Sequence, residues 1–209
     1  MDVYQIFPSY LCVKKFELDN QIQILQNIKN IHEEFVKSDT LNVETVYSQN
    51  ASASLVDEEN FAEVKIELEL FLCDIFENFF NFVDVNPYIS DMWTTCIKPK
   101  EQGQSHYHSN SLMSGVWYPF DTDYSEIVFY NPNNDKNSLN LAANTREFNS
   151  LNSTSFTYNP KKNDLILFPS YLTHQVQQNL SSSVRYSLAF NVFVKGNLHA
   201  HTSRLSLMR

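Results

Sequence analysis

From about residue 88 the chain breaks into short runs rich in β-branched and aromatic residues: MWTTCI, SGVWYPF, EIVFY, STSFTY, DLILF and VRYSLAFNVFV. Asn, Ser and Pro separate them, and no helical period intervenes. Each run has strand length and strand composition. Six such runs at this spacing predict an antiparallel sandwich or barrel.

The first third reads differently. In FELDNQIQILQNIKNIHEEF, Ile24, Leu25, Ile28, Ile31 and Phe35 recur at helical spacing behind a candidate N-cap, Asp19. In NFAEVKIELELFLCDIFENFFNF, the residues Phe61, Val64, Leu68, Phe71, Leu72, Ile75 and Phe79 form a second apolar stripe, expected to end before Asn86-Pro87. Helices followed by an all-β body suggest a jelly roll buttressed by helices on one sheet. The reading is one domain: a helical support region with an opening strand over 1–87, a jelly-roll core over 88–196 and a C-terminal tail over 197–209.

Several function classes are disfavoured. The chain holds 15 Lys and Arg against 24 Asp and Glu, a net charge of −9, which makes a nucleic-acid backbone an unsuitable partner. Only Gly103, Gly115 and Gly196 occur in 209 residues, too few for a phosphate-cradling loop of the P-loop or Rossmann kind. Asn is expected to take over turn positions, because it tolerates left-handed backbone. Cys12, Cys73 and Cys96 show no CxxC spacing and read as free core thiols in a reducing compartment. MDVYQIFPSYLCVKKF lacks the pattern of a secretory signal, and charged or polar residues interrupt the apolar run from Phe71 to Phe82. A cytoplasmic protein without a membrane anchor is the expectation. The Asn-rich stretch 131–140 reads as a loop.

The chemistry-bearing stretch is QSHYHSNSLMSGVWYP, residues 104–119. On an extended segment His106 and His108 point to the same side and can converge on one ion. His174 follows the apolar strand DLILF. In VRYSLAFNVFV, Arg185, Ser187, Ala189 and Asn191 share one face, and a reversal at Asn179-Leu180 would set His174 opposite Arg185 in a hairpin. An inward Arg needs an anion, and no acidic residue shares its strand face; a bidentate carboxylate ligand with Ser187 as a further donor would satisfy it. His199 and His201 form a second HxH that reads as solvated tail. Trp93, Trp117 and Tyr171 could line a cleft, although aromatics in this texture are more often core.

HYHSNSLMSGVWY, FPSYLTH and RYSLAFN resemble, in order and spacing, the HxHxxSxxSGxxY, FPSxxxH and RxSxxFN pattern of one group of oxygenases within the 2-oxoglutarate and Fe(II)-dependent oxygenase superfamily. The resemblance covers about 88–196 and implies a prolyl-hydroxylase-like double-stranded β-helix. It implies Fe(II) as cofactor, 2-oxoglutarate and O2 as cosubstrates, and hydroxylation of an unidentified protein side chain or small metabolite. His174 would be the distal iron ligand, Arg185 and Ser187 would grip the far carboxylate of 2-oxoglutarate, and Tyr118 would line the same pocket. The superfamily's His-x-Asp/Glu is missing. Either His106 and His108 complete a three-histidine site, the preferred reading since imidazole binds Fe(II) better than an amide, or His108 is proximal and Asn110 holds the carboxylate's place, as a weaker ligand or none. Two alternatives remain: a cupin-like metalloenzyme, whose motif expects a Glu where Leu112 and Met113 stand, and a catalytically silent jelly-roll binding module. Oligomeric state is not readable.

Overall fold

A computed structural model describes residues 9–38, 51–121, 126–133, 144–200 and 203–207. The chain opens with β1 (Cys12–Lys15), α1 (Gln21–Ile31) and α2 (Glu33–Lys37). A 3₁₀ turn (Glu59–Phe61) leads into α3 (Ala62–Asp74), which continues as one π-helical stretch (Ile75–Phe79). The β body follows: β2 (Asn86–Ile97), β3 (Met113–Tyr118), β4 (Ile127–Tyr130), β5 (Ser155–Tyr158), β6 (Asp164–Pro169), β7 (His174–Val176), β8 (Arg185–Ala200) and β9 (Ser203–Leu207). All six runs read as strands from the sequence are strands.

The strands form two antiparallel sheets. The larger has the order β1-β6-β3-β8-β2, with β9 paired to the far end of β8; the smaller is β5-β4-β7. This is a jelly roll of the double-stranded β-helix kind, with the helices against the outer face of the large sheet. Period-two alternation separates the two faces. Leu188, Phe190, Val192 and Val194 of β8 face outward with Met113 and Trp117 of β3, and pack on Ile24, Ile28, Val64, Leu68 and Leu72. The opposite parity faces the small sheet, where Tyr118, Ile127, Phe129, Ile166, Phe168 and Leu172 form the inter-sheet core. A bulge at Ser90 keeps Ile89 and Met92 in the helix-facing core although they are three apart. An isolated helix of α1's length is marginal in water. Burial of Ile24 and Ile28, about 1.5–3 kcal/mol each, decides its stability.

Gly115 sits between two strands, opposite Phe190 on one side and Leu167 on the other. A Cβ there would lie 2.2 Å from the Phe190 ring. Gly115→Ala should therefore lose about 1–3 kcal/mol through overpacking. Urea unfolding checks this, and unchanged stability would show that the ring has room to move.

Several expectations need correction. The residue before α1 is Asn20, not Asp19, and its side chain makes no capping bond. Ile31 is exposed, because α1 stops there and the chain restarts as α2. Phe79 is 58% exposed: the switch to i→i+5 bonding, with Phe80 N–H on Ile75 O, rotates the stripe so that Phe76 is buried instead. Cys12, Cys73 and Cys96 are free, but only Cys96 is buried and Cys73 is exposed. β8 runs to Ala200 and pairs with β9, placing His199 in a strand; His201 lies outside the described residues. In the Asn-rich stretch, 131–133 are described and 134–140 are not. Asn does take turn positions: Asn81, Asn110 and Asn163 have positive φ. No described helix is long and apolar enough to cross a membrane.

His32 is 5% exposed, and its Nε2 lies 2.9 Å from Thr94 Oγ1. Burial pushes its pKa down to about 4. The unfolded chain therefore binds the extra proton between pH 6.5 and 4, and stability falls as pH falls through that window. The loss should be on the order of 2–3 kcal/mol. Thermal melts across the window should show His32→Gln with a shallower slope than wild type; an unchanged slope would sink the assignment.

Candidate metal and carboxylate site

His106, His108 and His174 come from different parts of the fold and converge. HYH is not in a regular strand: His106 makes a single antiparallel bridge to His174, with His106 N–H on His174 O at 3.0 Å and His174 N–H on His106 O at 2.8 Å. His108 N–H donates to Ser170 O at 3.0 Å. This backbone pairing lays the HYH segment along the turn before β7. The i, i+2 parity then aims both imidazoles at His174. One ligand nitrogen from each of the three lies within 4.8 Å of the others.

The protonation states suit a cation. Nδ1 of His106 is 2.9 Å from Gln104 O, and Nδ1 of His174 is 2.9 Å from Leu172 O. A carbonyl only accepts, so each Nδ1 carries the proton and each Nε2 keeps its lone pair. Burial holds His106 below its ordinary pKa. Burial with the neighbouring His106 takes His108 to about 4 and His174 to about 3. Three neutral imidazoles can hold a borderline divalent ion such as Fe(II). The cluster contains no carboxylate among the described residues. Asn110 is exposed with φ 54°, the left-handed backbone of a turn. Leu112 is exposed and Met113 packs in the helix-facing core, so neither stands where the cupin pattern would want a Glu ligand.

Arg185 opens β8 and is 4% exposed. Its Nε and Nη1 are buried without a hydrogen-bond partner, and no carboxylate pairs with it among the described residues. The guanidinium carbon lies 5.6 Å from the centre of the Tyr118 ring, whose hydroxyl is also buried and unbonded. Burial pushes the Tyr118 hydroxyl pKa up, so it stays a donor. Ser187 is 3% exposed, and its Oγ is 2.7 Å from Thr95 Oγ1. Two orphaned cationic N–H groups beside a phenol and a serine can satisfy a carboxylate, and burying them empty is costly.

The expected hairpin between His174 and Arg185 does not form. β7 pairs with β4 in the small sheet, whereas β8 pairs with β2 and β3 in the large one. Asn179 is the reason. Its side chain donates to Ile97 O and Ser183 O, and its backbone pairs with Lys100 and Glu101. The chain is thereby carried across to the large sheet before Arg185. The two residues thus lie on different sheets of the sandwich and not side by side on one ladder.

Trp93, opposite Ala189 on the inner face, has its ring 5.7 Å from that of His108. The triad thus sits about four strand positions from Arg185, roughly 13 Å along β8. Trp117 is core, donating to Phe16 O, and Tyr171 is 59% exposed. Sequence reasoning left Thr95 unnamed; its parity with Trp93 on the inward face of β2 was the available signal.

Residues 91–191 match a family described as "Putative 2OG-Fe(II) oxygenase". No curated protein matches. Among solved structures, AviO1 from Streptomyces viridochromogenes aligns with a TM-score of 0.57 at 12% identity, covering 88% of this chain and 89% of that one. HygX from Streptomyces hygroscopicus, solved with nickel and 2-oxoglutarate bound, gives 0.56 at 11% identity, covering 88% and 82%. A Pseudomonas putida prolyl-4-hydroxylase gives 0.53 at 12% identity, covering 87% and 91%. Two longer matched structures are spanned only about half, 54% and 45%. At such identities the structures speak for the shared fold, and the family match speaks for the segment that carries the histidines and the arginine. Over residues 91–191, a little under half of its 209 residues, the chain is similar to the 2-oxoglutarate and Fe(II)-dependent oxygenase family.

Proposed function

We propose that the protein is an Fe(II)- and 2-oxoglutarate-dependent dioxygenase that hydroxylates a protein side chain or a small metabolite. The observation that carries this reading is the buried guanidinium of Arg185, unsatisfied at Nε and Nη1, in the same inter-sheet space as a neutral triad of histidines. His106, His108 and His174 would hold Fe(II) through imidazole nitrogen. Arg185 binds the far carboxylate of 2-oxoglutarate by charge-assisted hydrogen bonds. Ser187 adds a donor whose direction is set by Thr95, and the phenol of Tyr118 closes that end of the pocket. Phe129, Phe168 and Leu172 wall the triad from water on the small-sheet side.

Bound together, iron, 2-oxoglutarate and O2 supply the oxidising power: one oxygen atom enters a substrate C–H bond, while the other leaves in succinate as CO2 is released. The chain's own work is to keep three ligands deprotonated, to orient the dicarboxylate and to leave positions on the iron open. The net charge of −9 favours a substrate other than nucleic acid. The expected site of action is the cytoplasm.

The test is anaerobic titration of the apo protein with Fe(II), then 2-oxoglutarate, watching for a visible metal-to-ligand charge-transfer band. A band in wild type that His174→Ala or Arg185→Ala removes supports the reading. No band, with equal iron uptake in all three proteins, would leave only a jelly-roll binding module.

A further inference from the structure

Four polar side chains with no part in that chemistry meet beside the triad. Ser111 closes the segment that carries His106 and His108, and Ser114 lies in β3. Ser170 stands four residues before His174, and Asn191 lies in β8 on the face of Arg185 and Ser187. Ser114 and Ser170 are each 1% exposed. Ser111 Oγ donates to Met113 O at 2.6 Å, with Val192 O at 3.3 Å. Ser170 Oγ donates to Ser111 Oγ at 2.8 Å. Ser114 Oγ lies 2.8 Å from Ser170 Oγ and 2.9 Å from Asn191 Oδ1.

Counting protons orders this chain. Ser111 gives its single proton to a backbone carbonyl, so Ser170 must give its own to Ser111, and Ser114 must give its own to Ser170. Ser114 then has none left for an amide oxygen. The count closes only if the Asn191 amide turns over and donates from its NH2, its two ends being alike in shape. The result is a one-directional chain from Asn191 through Ser114, Ser170 and Ser111 to the carbonyl of Met113. It ties both ligand-bearing segments to the strand that carries Arg185. The backbone reinforces it: Ser170 O accepts from His108 N–H, and Ser170 N–H donates to Leu112 O at 3.1 Å.

We propose that Asn191 and Ser170 are positioning residues for the histidine triad, with the Asn191 amide as the donor that starts a directed hydrogen-bond chain holding both ligand-bearing segments in register. This rests on the reading of the triad as a metal site.

The test uses Co(II) alone as probe, reading its dissociation constant and the visible d–d spectrum of the saturated protein, with the melting temperature of each apo protein alongside. Ser170→Ala should weaken Co(II) binding about 10- to 100-fold, the range typical for supports of metal ligands. It should also alter the d–d spectrum at saturation, which a general loss of stability would not do. Asn191→Asp, nearly isosteric but only an acceptor when ionised, should match it. Ser114→Ala severs the same link without adding a charge, and carries the test if Asn191→Asp does not fold. Wild-type binding with Ser170→Ala and Ser114→Ala unchanged in affinity and spectrum would overturn the positioning role and leave the metal site standing. Loss in Ser170→Ala with Asn191→Asp unaltered would overturn the donor assignment. A wild type that binds no Co(II) would overturn both the metal reading and this one.

Discussion

Arg185→Met should make the apo protein more stable while sharply weakening its response to 2-oxoglutarate. The guanidinium is 4% exposed and unsatisfied at two nitrogens, so in the apo protein it is a buried charge with no counter-ion among the described residues. Its only described compensation is the face of Tyr118. Replacing buried ionic groups with apolar side chains of similar size is often neutral or stabilising by about 1–4 kcal/mol. Methionine is flexible enough to fill the vacated path. Losing the charged partner of a buried carboxylate costs about 2–5 kcal/mol, so affinity for 2-oxoglutarate should fall roughly 30- to several-thousand-fold. Thermal melts with and without the dicarboxylate measure both effects. In wild type, ligand at 100 times its Kd should raise stability by about 2.7 kcal/mol, and at the same concentration the variant should gain less than about 1 kcal/mol. A variant that melts lower than apo wild type would mean that Arg185 already has a partner, and that the anion argument is wrong.

His174→Ala should remove tight Fe(II) binding. Its ring is the most buried of the triad, at 3% exposure, and the Leu172 carbonyl fixes its tautomer. Supports that merely orient a metal ligand cost about 10–100-fold when lost, so loss of the ligand itself should exceed about 100-fold. His106→Ala and His108→Ala should behave alike if all three imidazoles ligate. Asn110→Gly should leave iron affinity unchanged: Asn110 is an exposed turn residue, and its positive φ suits glycine. Calorimetric titration with Fe(II) under argon separates these cases. A large loss in Asn110→Gly, with His108→Ala silent, would transfer the third position from His108 to Asn110.

The strands were legible because alternation on a two-faced sheet leaves a local record. Leu188, Phe190 and Val192 against Arg185, Ser187 and Asn191 state the two faces of β8 without reference to anything else. Helix α1 was legible for the same reason, at a different period. The junction past Asp74 was not. A π-helical stretch depends on which carbonyl each N–H finds, and Phe76 and Phe79 are equally apolar in the sequence.

The sequence by itself determined which side chains could carry chemistry: two imidazoles one residue apart, a third behind an apolar strand, and an Arg and a Ser on one strand face. Only the tertiary structure decided how they meet. The hairpin from His174 to Arg185 looked economical along the chain, yet Asn179 binds Ile97, Ser183, Lys100 and Glu101, and so hands the chain to the other sheet. Those partners lie about 80 residues upstream, apart from Ser183, and no local pattern encodes such a pairing. The same holds for Ser111, Ser114, Ser170 and Asn191. Each is an ordinary polar residue in sequence, and they become a directed chain only when four segments fold against one another, because a hydroxyl's single proton acquires a direction from its neighbours.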